Sequence, residues 1–252
     1  MVAALAYAAS PAWGAACVAQ SAERTAALVE LYTSARCSSC ARAEHWLSTL
    51  GARFGPERLV PLVVHVDYRD YLRSTDPGAE RRVSERLRRF SHLQRSALVY
   101  SPQVLLQGRD FPGWQSGAFE TVLKRINART ARAQLGLEIV SIGPHALDIA
   151  LHSEVREAGE GADAAVYIAA YQNRPPSALD ASENGALRLQ QDHVALDWLG
   201  PIAFGPQGRI EAQRTLVLLP NATPAQSGVV AFVQNRRSGE VLQALLLSAC
   251  SP

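Results

Sequence analysis

The sequence predicts an α/β fold in its first half and an antiparallel, sandwich-like β-rich module in its second. Three observations carry that expectation. A strand-length apolar run, residues 26–32 (AALVELY), ends just before Cys37-Ser38-Ser39-Cys40, and an amphipathic helix opens at that pair. A second apolar run, residues 59–66 (LVPLVVHV), follows the helix, and a connecting helix forces the strands it joins to run parallel. Beyond about residue 134 the helical period disappears, and short strand-like runs alternate with Gly and Pro turns.

Taken in order, residues 1–16 (MVAALAYAASPAWGAA) carry no charge and are small and apolar. They read as the core and cleavage region of a secretory signal, although the usual preceding basic segment is missing. The expected location is therefore periplasmic or secreted. The stretch is too short for a membrane span, and nothing downstream reaches about 18 uninterrupted apolar residues. Cleavage there leaves Cys17 close to the new N-terminus. One reading of Cys17 is lipid attachment, with Gly14 an unusual residue three places earlier. The other is a structural disulfide with Cys250, because the ends of compact chains often lie close together. Such a bridge closes a very long loop and is worth at most about 4–5 kcal/mol on the chain-entropy model.

Residues 40–54 place Ala43, Trp46, Leu47, Leu50 and Phe54 on one helical face, and Gly55-Pro56 ends the segment. The continuous apolarity of residues 59–66 predicts a strand covered on both faces, with Pro61 tolerated near its start. Asp76-Pro77-Gly78 opens a helical stretch over residues 79–93. Residues 99–107 (VYSPQVLLQ) form a third strand region interrupted by Ser101-Pro102, residues 111–114 a short edge strand, and residues 116–133 a helix with Phe119, Val122, Leu123 and Ile126 inward. The boundary falls near residue 134, giving domains 17–134 and 135–252. In the second, residues 135–154 form a hairpin turning at Gly143-Pro144, and residues 164–172, 188–198, 211–218, 228–234 and 241–247 are further strands.

With 252 residues, 48% of them hydrophobic, the chain can bury a substantial core. Its 25 basic and 23 acidic residues leave a net charge of +2, so no global charge excess draws it to nucleic acid or an anionic membrane. The basic stretch at residues 81–95 is mixed with glutamates and leucines and reads as a solvated helix face.

The chemistry centres on Cys37 and Cys40. Two intervening residues at the first turn of a helix bring the sulfurs within bonding reach, and the unpaired N–H groups there favour a thiolate. Arg36 and Arg42 push the same way. Cys37 is then the attacking sulfur and Cys40 the resolving one. Two rivals stay open: an inert disulfide, and a soft-metal site in which Cys37, Cys40 and His65 hold Cu(I). Zinc would need two further ligands, and no second Cys-x-x-Cys or paired histidines exist. Ser101-Pro102 begins a strand beside the dithiol. His65, Asp67 and Tyr68 leave the C-terminal end of a strand, where ligands gather in parallel sheets. Alternation puts His65 and Asp67 on one face, and Asp67 serves either as a proton acceptor tuning Cys40 or as a turn residue. His92, His145, His152 and His193 read as packing or surface.

The segments VELYTSARCSSC, HVDYRDYL with Asp76-Pro77, and VYSPQVLLQG resemble those of the secreted thioredoxin-like proteins grouped as the domain of unknown function 1223 family. Residues 183–201 and 228–245 match more weakly, so the resemblance spans nearly the whole mature chain. It implies a thioredoxin-like N-terminal domain with a β-rich C-terminal module, site cysteines at Cys37 and Cys40, and a cis Pro102 facing them. Where the family commonly carries prolines after the second cysteine, this chain has Ala41-Arg42. It also departs at Arg69, where an aromatic residue is usual, and at Arg73-Ser74. The function expected is thiol–disulfide oxidoreduction in the bacterial cell envelope. Cysteine-containing proteins or small thiols and disulfides would be the partners, docked on Ser101-Pro102 and supported by Arg36, His65, Asp67 and Tyr68. The thiols carry the electrons themselves, so no cofactor or resident metal is expected. The alternative is a non-catalytic envelope protein whose dithiol binds Cu(I) or is a structural disulfide.

Overall fold

A computed structural model describes residues 17–33, 37, 39–66, 86, 90, 100–178, 188–218 and 223–250. The elements run β1 (Cys17–Gln20), β2 (Ala27–Thr33), α1 (Cys40–Arg53), β3 (Leu59–His65), β4 (Gln103–Leu106), β5 (Arg109–Asp110) and α2 (Ala118–Asn127). Then follow β6 (Ala133–Ile142), β7 (Ala146–Val155), β8 (Ala164–Ala178), β9 (Arg188–Ala203), β10 (Arg209–Val217), β11 (Ser227–Asn235) and β12 (Val241–Ser248). They build a four-stranded sheet, β1-β6-β7-β10, and an eight-stranded sheet, β12-β11-β8-β9-β3-β2-β4-β5.

This arrangement corrects the expected fold class. The expected α/β thioredoxin-like domain with a sandwich-like β module after it does not form; among the described residues the fold is β-rich. Among the described residues there are twelve strands against two α-helices with defined ends. The larger sheet takes β2, β3, β4 and β5 from before residue 134 and β8, β9, β11 and β12 from after it. Only the β2–β3 and β3–β9 pairings are parallel; the other pairings of that sheet are antiparallel. The physical reason lies in β3. All seven of its residues are buried, so its free edge cannot be left to water, which would leave ladder donors and acceptors unpaired in an apolar setting. β9 closes that edge, with Val194 level with Val63, and so merges the two halves into one sheet.

Smaller expectations shift for similar reasons. The edge strand forms at Arg109–Asp110 rather than at residues 111–114, because Gln107 and Gly108, both at positive φ, reverse the chain directly after β4. The second helix ends at Asn127 rather than at residue 133. There the chain pairs instead, the Ala131 N–H donating to the Glu23 carbonyl at 2.8 Å. Of the helix expected over residues 79–93, Arg86 and Phe90 are described, and both are helical.

The eight-stranded sheet is covered on both faces. On one face α1 and α2 pack under β2, β3 and β4 through Leu47, Leu50, Phe119 and Leu123, while the four-stranded sheet covers β8, β11 and β12 through an aliphatic core. On the other face Phe90 joins Tyr32, Tyr167, Trp198 and Phe232. Arg86 lies at the centre of that layer. Its guanidinium donates to both Glu30 carboxylate oxygens, at 3.2 and 3.3 Å, and to Gln234 at 2.8 Å. It also lies 4.7–5.2 Å from the centroids of Phe90, Tyr167, Trp198 and Phe232. Burial would lower its pKa, but the charge and hydrogen bond of Glu30, together with Tyr32 and Tyr167, outweigh that and hold it above its usual range. A buried charge needs such a partner to persist in the core. The pair pins Arg86 onto β2, the strand that leads to the cysteine pair.

Candidate functional site

β2 ends at Thr33, and the register brings two other strand ends beside it. His65 of β3 is level with Thr33. Gln103 of β4 is level with Tyr32, so Pro102, one residue earlier on this antiparallel neighbour, comes level with Thr33. The Ser101–Pro102 bond is cis. The chain leaves β2, passes Cys37 and enters α1 at Cys40. Cys37 and Cys40 are disulfide-bonded with Cα atoms 5.2 Å apart, and the Cys40 N–H donates to the Cys37 carbonyl at 2.9 Å.

The two sulfurs are not equivalent. Cys37 retains 8% of its surface, whereas Cys40 retains 1%. Ser39, in the N-cap position, makes no side-chain cap to its own helix. Its hydroxyl lies 3.4 Å from Cys37 Sγ. A bonded sulfur carries no hydrogen, so the hydroxyl donates. No acidic residue occupies the first turn of α1, so the positive end of the helix dipole is left to act on the sulfurs.

Behind the disulfide lies a buried polar group that sequence reasoning missed. Glu44 sits one helical turn after Cys40 and is 4% exposed. It accepts a 2.7 Å hydrogen bond from the Thr33 hydroxyl. His65, also buried, is on the same side of the sheet as Thr33, in phase with Leu59 and Val63, which pack on the helices. The signal was present in the sequence: a glutamate between Ala43 and Leu47, four residues after Cys40, stands on a helix face otherwise built from apolar residues.

A second network supports the loop bearing Pro102. The Tyr100 hydroxyl donates to the Asp110 carboxylate at 3.0 and 3.2 Å, and Gln103 Nε2 donates to Asp110 Oδ1 at 3.1 Å. Burial, and then the Asp110 charge, push the Tyr100 phenol up to about 12. Both bonds tie the start of β4 to the edge strand β5. On the α1 side, Trp46 packs against Trp114 and Phe119 with ring centroids 5.1 Å apart in each case.

Of the expected site residues, Cys37, Cys40, His65, Ser101 and Pro102 gather at these strand ends. Arg36, Asp67 and Tyr68 lie outside the described residues, as do residues 1–16 with the expected signal segment. Among the described residues no group of three or more His, Cys, Asp or Glu side chains is arranged to hold a metal ion. Cys17 and Cys250 form a second disulfide, with Cα atoms 5.6 Å apart; the bond occupies the sulfur that a lipid would need. The Cys250 N–H donates to Cys17 Sγ at 3.1 Å. His193 is a packing residue, its ring centroid 5.0 Å from that of Tyr171, and burial lowers its pKa. Among the described residues no helix is long and apolar enough to cross a membrane.

Comparison with known proteins adds a family and a shared fold. The chain belongs to the family described as protein of unknown function (DUF1223), which matches residues 28–234. No curated protein matches it. Its structure is similar to a crystal structure of an Agrobacterium tumefaciens protein, with a TM-score of 0.60 and 22% identity, over 92% of this chain and 98% of that one. It is also similar to the structure of HBP35 of Porphyromonas gingivalis, with a TM-score of 0.65 and 16% identity, over 90% of this chain and 76% of that one. At these identities the likeness is one of fold.

Proposed function

We propose that this chain is a thiol–disulfide oxidoreductase working outside the cytosol on cysteine-containing substrates. The observation that carries the reading is the asymmetry of Cys37–Cys40. A disulfide bridges the mouth of a helix, with Cys37 the less buried partner, its sulfur hydrogen-bonded by Ser39, and Cys40 enclosed. Lesser burial suits attack and enclosure suits resolution.

In the reducing direction the Cys37 thiolate attacks one sulfur of a substrate disulfide. A bond forms between Cys37 and that sulfur, and the other substrate sulfur leaves as a thiolate. Cys40 then attacks Cys37 Sγ, the second substrate sulfur departs, and the pair ends oxidised by two electrons while the substrate is reduced by two. The oxidising direction is the reverse. An extended substrate segment lies along the backbone of Ser101 and Pro102, which the strand register brings level with Thr33, by strand-like hydrogen bonding. Two disulfides in one chain suit an oxidising compartment, periplasmic or extracellular.

The test is the reduction potential of the Cys37–Cys40 pair, measured together with insulin reduction and oxidation of reduced ribonuclease. A potential between about −270 and −120 mV with turnover in one assay is expected. A value far below about −300 mV with neither activity would defeat the proposal.

A further inference from the structure

Resting on the exchange reading above, we infer that Glu44 is the base that takes the proton from Cys40 when the mixed disulfide resolves. The resolving thiol has a chemical difficulty. At 1% exposure Cys40 cannot pass its proton directly to bulk water, yet only its thiolate can attack. A nearby acceptor inside the protein removes that obstacle.

Glu44 has the position for this. Residues four apart on a helix stand one above the other, with Cβ atoms about 5–6 Å apart, so the carboxylate and the Cys40 sulfur share one face of α1. Such a separation is spanned by the side chains themselves or by one water. The Thr33 hydroxyl holds the carboxylate at the end of β2 with its 2.7 Å hydrogen bond. A glutamate at 4% exposure within a helix–sheet interface adds nothing to apolar packing that leucine would not supply. His65 approaches from β3, on the far side of Thr33 from β4; Glu44 alone lies on the helix that carries Cys40.

The step balances. In the mixed disulfide Cys37 is bonded to the substrate sulfur, and Cys40 is a thiol. Glu44 accepts the Cys40 proton as the new Cys37–Cys40 bond forms and the Cys37–substrate bond breaks. The departing substrate thiolate is protonated by solvent or by Glu44 itself. In the oxidising direction Glu44 returns the proton to Cys40.

Among the described residues, the ionisable groups that elements packed against α1 bring to it are Cys37 from the loop, His65 from β3, Asp192 and His193 from β9, and Glu120 from α2, which pairs with Arg53 in the last turn of α1; Glu30 and Tyr32 of β2 lie with Arg86 on the opposite face of the sheet. Asp192 accepts a hydrogen bond from Ser48, and His193 lies beside Gly51, so both sit at later turns of the helix. On α1 itself Arg42 and His45 are exposed.

Reaction of the reduced protein with an equimolar aromatic disulfide, dithiobis(nitrobenzoate), separates the two steps. One nitrothiobenzoate is released when Cys37 attacks, and the second when Cys40 resolves. Glu44→Gln keeps the shape and can still accept the Thr33 hydrogen bond, but it cannot take a proton. We expect its first phase to stay within about twofold of wild type. Its second phase should slow at least tenfold at neutral pH and gain a dependence of about tenfold per pH unit, up to the ordinary thiol range near 8.5. Glu44→Asp should recover part of the rate with the wild-type pH profile. A Gln variant whose second phase matches wild type in rate and pH profile overturns the inference while leaving the exchange reading intact. Absence of the first phase in wild type overturns the exchange reading and the inference with it. Should Glu44→Gln not fold, the carboxyl carbon resonance of Glu44 in the wild-type protein decides: its titration should move between oxidised and reduced forms, and superimposable curves overturn the inference.

Discussion

Cys37–Cys40 closes a turn of three residues at the mouth of a helix, whereas Cys17–Cys250 spans 233 residues and ties the first described strand to the end of the last. Their neighbours differ as much as their spans. Around the first lie Ser39, Thr33, Glu44 and His65. The second is packed with Ile139, Leu147 and Leu247 in an aliphatic core. A three-residue loop removes little entropy from the unfolded chain, and a loop of over two hundred residues removes much more. Buried polar groups, for their part, contribute little to stability that apolar packing would not. The long bridge is therefore placed to hold the fold, and the short one, with polar groups beside it, is the bond that the proposed function breaks and remakes.

The sharpest way to break this contrast is to remove one sulfur at a time. Cys37→Ser should lower insulin-reducing or ribonuclease-oxidising turnover by at least about a hundredfold, a loss of some 2.7 kcal/mol of transition-state stabilisation, while the thermal midpoint barely moves. Equal turnover in wild type and variant would erase the distinction between the bridges. Arg86→Met tests whether the polar groups on the opposite face of β2 belong to the site. It leaves the fully buried Glu30 carboxylate without its guanidinium and should cost about 3–5 kcal/mol in denaturant unfolding. The exchange rate per folded molecule should not change; if it does, the site extends through the sheet.

The Cys17→Ser/Cys250→Ser double variant is the mirror of the first test. It should lose about 2–4 kcal/mol of stability and keep wild-type exchange kinetics. A large kinetic change would mean that the terminal bridge takes part in electron flow. Smallest of all is the expected effect of Ser39→Ala. Without the hydroxyl that donates to Cys37 Sγ, the thiolate loses one stabilising bond, so the pH midpoint of Cys37 alkylation should rise. An unchanged midpoint would place the whole thiolate stabilisation on the helix terminus.

Legibility varied with the range of the interaction. The apolar runs at residues 26–32 and 59–66 and the helix beginning at Cys40 were readable because strand burial and helical period repeat within a few residues. The turn at Gly143 was equally plain, with the Gly143 N–H donating to the Ala146 carbonyl at 2.9 Å to close the β6–β7 hairpin. Glu44 was visible yet passed over, since its meaning depends on Thr33 arriving from another strand. The edge strand was misplaced by two residues because the reversal rests on Gln107 adopting positive φ, which its residue type does not announce. The fold class was misjudged at one pairing, β3 with β9, which turns two expected units into one sheet.

By itself, then, the sequence determined that strands lie within residues 26–32 and 59–66, and that a helix opens at the second of two cysteines three residues apart. Those features depend on neighbours along the chain. Only the tertiary structure decided that β9 would cover β3, that Arg86 would neutralise Glu30 inside an aromatic layer, and that Thr33 of β2 would hydrogen-bond Glu44 of α1. Each of these joins residues of different elements through hydrogen bonds or charge, and such pairings leave no periodic trace in the chain, because a strand edge or a buried carboxylate specifies only that a partner is needed.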